Sequence, residues 1–454
     1  MTVHPSESAL FHRSLEKEYP TAVSGEGVNL ITSDGRKVLD GSSGAAVSCL
    51  GHGNKEVIDS ICAQARSLAF AHSSFFTSNP AEELGRLILE KSDGAFEKVL
   101  FLTSGSEAVE SAIKVARQFH VYKEQPERVN FIGREHSYHG NTLGALAAGN
   151  NPARRAVFGD ILSPTFHHVS RCFYQKDGQN LTEGQYEDKL IDELTAKFRE
   201  LGPHTVAAVI LEPVVGATTG SVPATKNYLS RVSELCKQHG VLTIFDEVMC
   251  GMGRTGTYHA WQSLGGVSPD IQTIGKGLGA GYQPLSAVLL ANSVFSVFEE
   301  FSKGSKTYLS GHTFQGHSMA CAGALTVQNI FFRDELIPRV AKMGDLFEAR
   351  LLELLPSEWK NKDGCLRGLG LFRTVDFGSL GQAYGGPVAG EISRRCFATG
   401  VAVYLCSPAV DAILICPPFI LTEEDVDKIA TTVAEALHYV LDGRGKPNGV
   451  APTT

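Results

Sequence analysis

The sequence predicts an α/β fold with a mainly parallel, mixed sheet flanked by helices. Short apolar runs recur along the first two thirds of the chain, and longer amphipathic stretches separate them. Runs that are apolar throughout are typical of strands buried on both faces, as in sheets covered by helices. The runs span residues 99–102, 130–132, 206–211, 241–245, 271–274 and 286–290. Because ligands bind beyond the carboxyl ends of such strands, we expect functional residues directly after these runs.

The pattern changes near residue 335 and predicts a smaller α+β domain. The predicted elements are a helix over 340–355, a Gly-rich strand near 369–377, a helix around Glu391, strands around Val401 and Ile413, and a helix over 423–441. We therefore divide the chain into three parts. Residues 1–60 form an N-terminal segment that packs with the small domain, 61–334 form the large domain, and 335–454 form the small C-terminal domain.

Composition excludes several classes of function. Lys and Arg number 41 against 49 Asp and Glu, which gives a net charge of −8, and no basic cluster suits a nucleic acid. The ten cysteines contain no C-x-x-C pair, so we expect neither a zinc site nor a disulfide framework. A reducing, cytoplasmic location fits this usage. No apolar stretch reaches the roughly 18 residues that span a bilayer, and we expect no membrane association.

The first candidate functional motif is the segment 103–107, which follows an apolar run and opens a helix. Free main-chain N–H groups at a helix N-terminus bind anions, and Gly105 lets a ligand approach the backbone closely. The same residue pattern is also typical of an ordinary capping box between Ser104 and Glu107, in which case the motif only begins a helix. This alternative remains open.

The second candidate motif is the acidic pair Asp246 and Glu247 at the end of the run 241–245. Burying an unpaired carboxylate costs roughly several kcal/mol, so Asp246 should have a cationic partner. That partner is either a bound ligand or an Arg or Lys elsewhere in the fold.

The third candidate motif is Gly275-Lys276-Gly277, directly after the run 271–274. Desolvation at this position would lower the pKa of Lys276 and favour imine formation. The alternative is a turn that faces solvent.

Two other motifs are weaker. Residues 251–256 match G-x-G-x-x-G, with Asp270 further on, as an NAD-dependent dehydrogenase would have. In a dinucleotide fold, however, the glycines follow their strand directly, whereas here Asp246 to Cys250 intervene. His136 and His139 lack a third metal ligand nearby, and we interpret them as polar loop residues.

Together the three stronger motifs match what pyridoxal 5′-phosphate (PLP) requires. The helix N–H groups would hold its phosphate, Lys276 would condense with its aldehyde, and Asp246 would keep its pyridine nitrogen protonated. The buried carboxylate thereby gains a cation.

Nearly the whole chain resembles the class III, or ω-amino acid, aminotransferases of fold type I. The matching motifs are Leu39-Asp40-Gly41, Leu50-Gly51-His52-Gly53, Ser104-Gly105-Ser106-Glu107-Ala108, Tyr138-His139-Gly140, Leu211-Glu212-Pro213, Asp246-Glu247-Val248, Gly253-Arg254-Thr255-Gly256, Lys276-Gly277, Gly281-Tyr282-Gln283-Pro284, Gly311-His312-Thr313-Phe314 and Arg367-Gly368-Leu369-Gly370. The resemblance implies that the large domain binds PLP. It also implies a ping-pong transfer of an amino group from a small-molecule amine to a carbonyl acceptor.

The resemblance also implies roles for individual residues. Gly105 and Ser106 would bind phosphate, Tyr138 and Val248 would cover the two ring faces, and Glu212 would orient the site. Asp246 would pair with the ring nitrogen. Thr313 would reach the phosphate in the partner subunit, which implies a homodimer with shared active sites. Lys276 would be both the imine partner and the general base.

Two departures from the family pattern concern the substrate. Met249 stands where many members have a glutamine, which favours amine transaminases. The arginine that amine:pyruvate members carry near the C-terminal strand is absent between Gly400 and Cys406. Either another arginine, such as Arg171 or Arg373, replaces it, or the substrate lacks a carboxylate there.

Phe76, next to Phe75, and Tyr404 are the predicted substrate contacts. The two phenylalanines stand either at the entrance of the site or in the core. We predict a terminal or hydrophobic amine as donor and a keto acid or aldehyde as acceptor. A PLP-dependent decarboxylase, aminomutase or phospho-lyase could use the same residues.

Overall fold

A seven-stranded mixed sheet forms the centre of the large domain. The computed structural model describes residues 2–3, 8–301, 307–356, 359, 364–383 and 385–444. Across the sheet the strands are Lys98–Leu102, Ser286–Leu290, Ile271–Ile274, Leu242–Asp246, Val206–Leu211, Asn130–Arg134 and Phe166–Val169. Only Ser286–Leu290 runs antiparallel to its neighbours, and the other strand pairs are parallel. The predicted fold class is therefore confirmed.

All six apolar runs form strands of this sheet. Val206–Leu211 and Leu242–Asp246 are buried at every residue, as expected for strands covered by helices on both faces. The seventh strand, Phe166–Val169, was not predicted. It carries two histidines and only Val169 is fully buried, so its sequence lacks an apolar run.

Helices cover both faces of the sheet. Gly105–Tyr122 packs a stripe of small and branched apolar residues against the strands, including Ala108, Ala112, Val115 and Ala116. The other helices of the large domain and the segment before it are Ser43–Ala46, Lys55–Ser67, Asn79–Glu90, Leu143–Ala148, Pro152–Arg155, Tyr174–Asp177, Glu183–Leu201, Tyr228–Gln238, Asn292–Phe301 and Ser318–Arg333. Short antiparallel pairs join Thr2–Val3 to Tyr19–Pro20 and Val214–Val215 to Val222–Pro223.

The C-terminal region forms an antiparallel sheet with helices on it. Its strands are Leu366–Leu369, Phe372–Asp376, Ala412–Ile415 and Tyr404–Leu405, and its helices are Leu336–Leu354, Gly378–Ala383, Ala389–Ala398 and Glu423–Arg444. The strand predicted near 369–377 is confirmed as Phe372–Asp376, but the sequence did not predict that the chain reverses before it into a hairpin with Leu366–Leu369. Gly370 makes the turn with φ +52°, and a Cβ on it would lie 2.8 Å from the carbonyl carbon of Thr255.

The N-terminal segment shares a sheet and a core with the C-terminal region. Lys37–Asp40 pairs in parallel with Val401–Ala402, and Asn29–Thr32 and Ala22–Glu26 complete this second four-stranded sheet. Leu39 and Leu50 lie in the same hydrophobic cluster as many side chains after residue 335. Residues 37–40 of the N-terminal segment therefore pair directly with a strand of the C-terminal region. Among the helices of the described residues, none has the length and apolar character needed to cross a bilayer.

Candidate active site

A cavity of about 770 Å³ lies beyond the carboxyl ends of the central strands. Its walls come from the large domain, from Arg13, Ala45 and Val47 of the N-terminal segment, and from the segment Tyr404 to Pro408 of the C-terminal region. Of the ten predicted site residues, the structure brings eight together around this cavity. They are Gly105, Ser106, Tyr138, Glu212, Asp246, Val248, Lys276 and Tyr404.

Asp246 is the last residue of its strand and lies buried on the cavity floor. Its carboxylate accepts a hydrogen bond from Thr273 Oγ1 at 3.0 Å and one from the main-chain N–H of Val248 at 3.1 Å. Its second oxygen lies 2.8 Å from His139 Nδ1. Because a carboxylate can only accept, Nδ1 carries the proton and donates it.

His139 lies in a loop, as expected from the sequence, and its hydrogen bond to Asp246 also makes it a residue of the site. No local pattern predicts this contact, because the strand before His139, Asn130–Arg134, is separated in the sheet from Leu242–Asp246 by Val206–Leu211. His139 Nε2 is buried and has no hydrogen-bond partner among the described residues. No group of three or more His, Cys, Asp or Glu side chains that could hold a metal ion occurs in the described parts of the chain.

Glu247, the second residue of the acidic pair, points away from the cavity. Its carboxyl group accepts hydrogen bonds from the main-chain N–H groups of Ala260 and Trp261, at 2.7 and 2.9 Å. It is fully buried, and burial raises its pKa to about 8 in spite of these two donors. The two neighbouring carboxylates thus have different tasks: Asp246 faces the cavity, and Glu247 holds a turn behind it.

Lys276 follows the strand Ile271–Ile274 and lines the cavity with Asp246 and Glu212. Its backbone adopts φ +46°, a left-handed conformation that is costly for a residue with a side chain. Burial lowers its pKa, and the carboxylates of Asp246 and Glu212 oppose this effect. The solvent-facing turn considered as an alternative is therefore excluded, because the lysine faces a partly desolvated cavity.

The helix Gly105–Tyr122 directs its N-terminus at the same cavity. The capping box is present: Ser104 Oγ accepts from the N–H of Glu107 at 3.2 Å, and Glu107 accepts from the N–H of Ser104 at 3.0 Å. The capping box provides hydrogen-bond acceptors for the main-chain N–H groups of Ser104 and Glu107. It leaves the N–H groups of Gly105 and Ser106 available for a ligand. Both interpretations of the motif therefore hold together.

Tyr138, Val248 and Glu212 stand around the centre of the cavity. Tyr138 is half-buried, and its main-chain N–H donates to Glu212 Oε1 at 3.1 Å. Glu212 Oε2 accepts from the N–H of Gly216 at 2.8 Å, and burial raises the pKa of Glu212. A Cβ on Gly105 would lie 2.7 Å from Val248 Cγ1, so the space between the helix N-terminus and Val248 is closely fitted.

Two predicted site residues, Thr313 and Phe76, do not line this cavity. Thr313 is exposed, and Phe76 is 67% exposed and borders a separate cavity near Gln315. Phe75 is 80% exposed, so the alternative that these phenylalanines belong to the core is wrong. They sit on loops at the surface of the single chain, where only another molecule could cover them.

The arginines suggested as carboxylate ligands are engaged elsewhere. Arg171 forms a two-bond ion pair with Asp177. Arg373 is buried and pairs with Glu348 at 2.5 Å. The arginines that do line the cavity are Arg13 and Arg154, which the sequence did not indicate.

The G-x-G-x-x-G segment has a structural role. Gly253 packs against Ile337 and Phe419, and a Cβ there would lie 3.0 Å from Ile337. Asp270 accepts hydrogen bonds from the N–H and hydroxyl of Thr243, so it is not available to a ribose. The dinucleotide alternative is therefore excluded by geometry.

Comparison with known proteins decides the family. The model of the family "Aminotransferase class-III" matches residues 14–437. The chain belongs to the class III aminotransferases. An aminotransferase of Schizosaccharomyces pombe is 36% identical over 451 residues, covering 94% of each chain. The putrescine–pyruvate aminotransferase of Pseudomonas aeruginosa is 29% identical and covers 91% of this chain and 89% of its own.

Solved structures confirm fold type I for this class III aminotransferase. A thermostable (S)-enantioselective ω-transaminase from Thermomicrobium roseum superposes with a TM-score of 0.87 and 31% identity. The match covers 96% of this chain and 97% of that one. The protein is thus a transaminase that uses PLP and acts on small-molecule amine and carbonyl substrates.

The residues of the cavity fit PLP. The available N–H groups of Gly105 and Ser106 suit a phosphate, and Tyr138 and Val248 offer two apolar surfaces for a flat ring. Asp246 is a buried carboxylate that needs a cation, and Lys276 is the amine on the same cavity. Each chemical group of the cofactor therefore has a counterpart of suitable chemistry.

Proposed function

We propose that this class III aminotransferase transfers an amino group from a terminal or hydrophobic amine to a keto acid or aldehyde by a ping-pong mechanism. The observation that carries the proposal is the meeting of Lys276, Asp246 and the helix N-terminus at Gly105 on one cavity. The lining also includes Val47, Val214 and Leu285, and these apolar side chains suit a hydrophobic amine. The putrescine–pyruvate relative, whose donor by name is a terminal amine, supports the same substrate class.

The residue roles follow from the chemistry of each group. When bound, PLP supplies an aldehyde that exchanges amines and a ring that withdraws electrons from the substrate carbon. Gly105 and Ser106 would hold the phosphate, Tyr138 and Val248 would cover the ring, and Asp246 would pair with the ring nitrogen. Lys276 is the residue that would hold the cofactor through its aldehyde group.

Lys276 also moves the proton. Its lowered pKa favours the neutral amine at Nζ, which is the form that accepts a proton from the substrate carbon. His139 and Thr273 fix the orientation of Asp246, so that its charge stays directed at the ring position. Glu212 fixes the main chain at Tyr138 through the 3.1 Å hydrogen bond.

We also propose that two copies of the chain form a homodimer with shared active sites. An exposed aromatic cluster, defined as Phe70, His72, Phe75, Phe76 and Phe314, is linked by ring contacts with centroids 5.7 to 6.5 Å apart. Exposed apolar clusters of this kind typically mark protein interfaces. Thr313 precedes Phe314, so a partner subunit that covers the cluster would receive the Thr313 hydroxyl as a phosphate donor. Phe76 would then reach the substrate entrance of the other subunit.

The cysteines support a cytoplasmic, reducing location as a further proposal. All ten are free thiols, and nine of them are buried. Buried thiols without disulfide partners are typical of proteins that fold under reducing conditions.

The function is tested by mixing the PLP-loaded protein with a hydrophobic amine and pyruvate and measuring alanine and the matching ketone. Equal amounts of both products are expected. Release of carbon dioxide or phosphate without alanine would contradict the proposal and favour a decarboxylase or a phospho-lyase. An amino group that moves within one molecule would favour an aminomutase.

The dimer is tested by light scattering on a size-exclusion column. The wild type should elute with about twice the chain mass, and Phe314→Asp should shift it towards the monomer. Thr313→Ala should keep the dimer and weaken PLP binding. A wild-type monomer that transaminates would contradict shared active sites.

A further inference from the structure

Two arginines at the mouth of the cavity lack a negative partner. Arg154 and Arg13 line the same cavity as Lys276. Neither guanidinium forms an ion pair or a hydrogen bond with any residue in the described ranges of the chain. Most other arginines near the site are satisfied, for example Arg155, which donates to three main-chain carbonyls at 2.6 to 3.2 Å. Two available guanidinium groups in one ligand cavity suit an anionic group of the ligand.

Arg154 is held in place by its surroundings. It lies on the short helix Pro152–Arg155, which the three hydrogen bonds of Arg155 tie to the preceding helix. Its guanidinium carbon lies 5.2 Å from the centre of the Tyr138 ring. A guanidinium stacked on an aromatic ring keeps its N–H groups free at the edge, where they can bind a carboxylate with two hydrogen bonds.

Negative and positive side chains lie at opposite ends of the cavity. Asp246 and Glu212 lie on the floor near Lys276, and Arg154 and Arg13 stand at the mouth. Arg13 comes from the N-terminal segment and is exposed, so it adds a second positive charge from the solvent side. A substrate with a carboxylate would thus enter with its charged end towards the arginines and its reactive carbon towards the floor.

We propose that Arg154, assisted by Arg13, binds the carboxylate of the acceptor substrate, which is therefore a keto acid and not an aldehyde. The inference rests on the proposed transamination and narrows its acceptor. It supplies a carboxylate ligand in a chain that has no arginine between Gly400 and Cys406 and whose Arg171 and Arg373 are paired elsewhere. Arg154 acts as a specificity residue and takes no part in the proton transfer.

The kinetic test compares a charged and an uncharged acceptor in the PLP-loaded enzyme. Arg154→Gln should raise the KM for pyruvate at least tenfold and change the KM for propanal less than twofold, with kcat at saturation nearly unchanged. Arg154→Lys should recover part of the loss, because it restores the charge without the two-bond geometry. Arg13→Ala should raise the KM for pyruvate two- to fivefold. Arg199→Gln, on an exposed position of the helix Glu183–Leu201, is the matched control and should change neither KM.

A binding test decides the inference without turnover. Propionate, which carries a carboxylate but cannot accept an amino group, is titrated into the PLP-loaded protein by calorimetry. Its affinity should fall at least tenfold in Arg154→Gln and stay unchanged in Arg199→Gln. Equal propionate binding by wild type and Arg154→Gln would overturn the inference, as would an equal rise in KM for both acceptors. A wild type that binds propionate through Arg154 but makes no alanine would refute the proposed function and leave the carboxylate site standing.

Discussion

The floor and the mouth of the cavity are built differently. On the floor, Asp246, Glu212 and Lys276 follow buried strands, and hydrogen bonds or backbone geometry fix each of them. At the mouth, Arg13 and Arg154 come from exposed or half-buried segments outside the sheet. The comparison teaches that the sheet sets the reaction chemistry, whereas segments packed around it select the substrate. Changes on the floor should therefore lower kcat, and changes at the mouth should raise KM.

The largest effect is expected on the floor, at Lys276. Lys276→Ala should lower kcat on the order of ten thousandfold, because it removes both the cofactor attachment and the proton carrier. The protein should still fold and bind PLP, but borohydride should no longer fix the cofactor to the chain. Mass spectrometry of the reduced protein measures this, with Lys237→Ala as an exposed control. Normal turnover by Lys276→Ala would contradict its assignment.

Asp246→Asn should give the second largest effect. Loss of the negative charge facing the ring should lower the single-turnover rate with amine on the order of a hundredfold. PLP affinity should fall much less, since the phosphate is held by other groups. Stopped-flow absorbance gives the rate, and equilibrium dialysis gives the affinity. An unchanged single-turnover rate would show that the negative charge of Asp246 does not contribute to the reaction.

Substitutions of His139 test whether a residue that only positions Asp246 affects kcat, as expected for the floor, and not KM. His139→Leu removes a buried donor to the carboxylate and should lower kcat about tenfold, with the KM for both substrates unchanged. His139→Gln keeps a donor and should recover much of the rate. A rise in KM without loss of kcat would place His139 with the mouth instead.

The smallest effect on activity is expected at Glu247, behind the floor, where pH dependence of stability is the measurement. The folded pKa of about 8 lies above the ordinary value of 4.5, so between these values the folded chain binds more protons than the unfolded chain. Stability should therefore fall as pH rises from 5 to 8, by roughly 1–4 kcal/mol more than in Glu247→Gln. Urea unfolding at both pH values tests this. Glu435→Gln, on an exposed position of the last helix, should behave like the wild type.

The residues of the floor could be predicted from the sequence. In an open α/β sheet, a residue that follows a buried apolar strand lies at the carboxyl edge of the sheet, where ligands bind. Asp246, Lys276 and Gly105 were found in this way. His139 and Arg154 follow no run directly, and their contacts depend on how loops pack, which no local pattern records. The strand Phe166–Val169 and the hairpin at Gly370 were missed for a related reason. The strand Phe166–Val169 contains polar residues, and the hairpin has a tight turn at Gly370 inside one apolar stretch. Both features weaken the pattern of apolar residues from which strands are predicted.

The pairing of Lys37–Asp40 with Val401–Ala402 sets the order in which the molecule is completed during synthesis. All seven strands of the large sheet lie before residue 291 and can pair while the ribosome is still extending the chain. The strand Lys37–Asp40 of the N-terminal segment can pair only after Val401–Ala402 has been synthesised, more than 300 residues later. Tyr404 is synthesised at the same stage, so the nascent chain completes the wall of the cavity only after the large sheet.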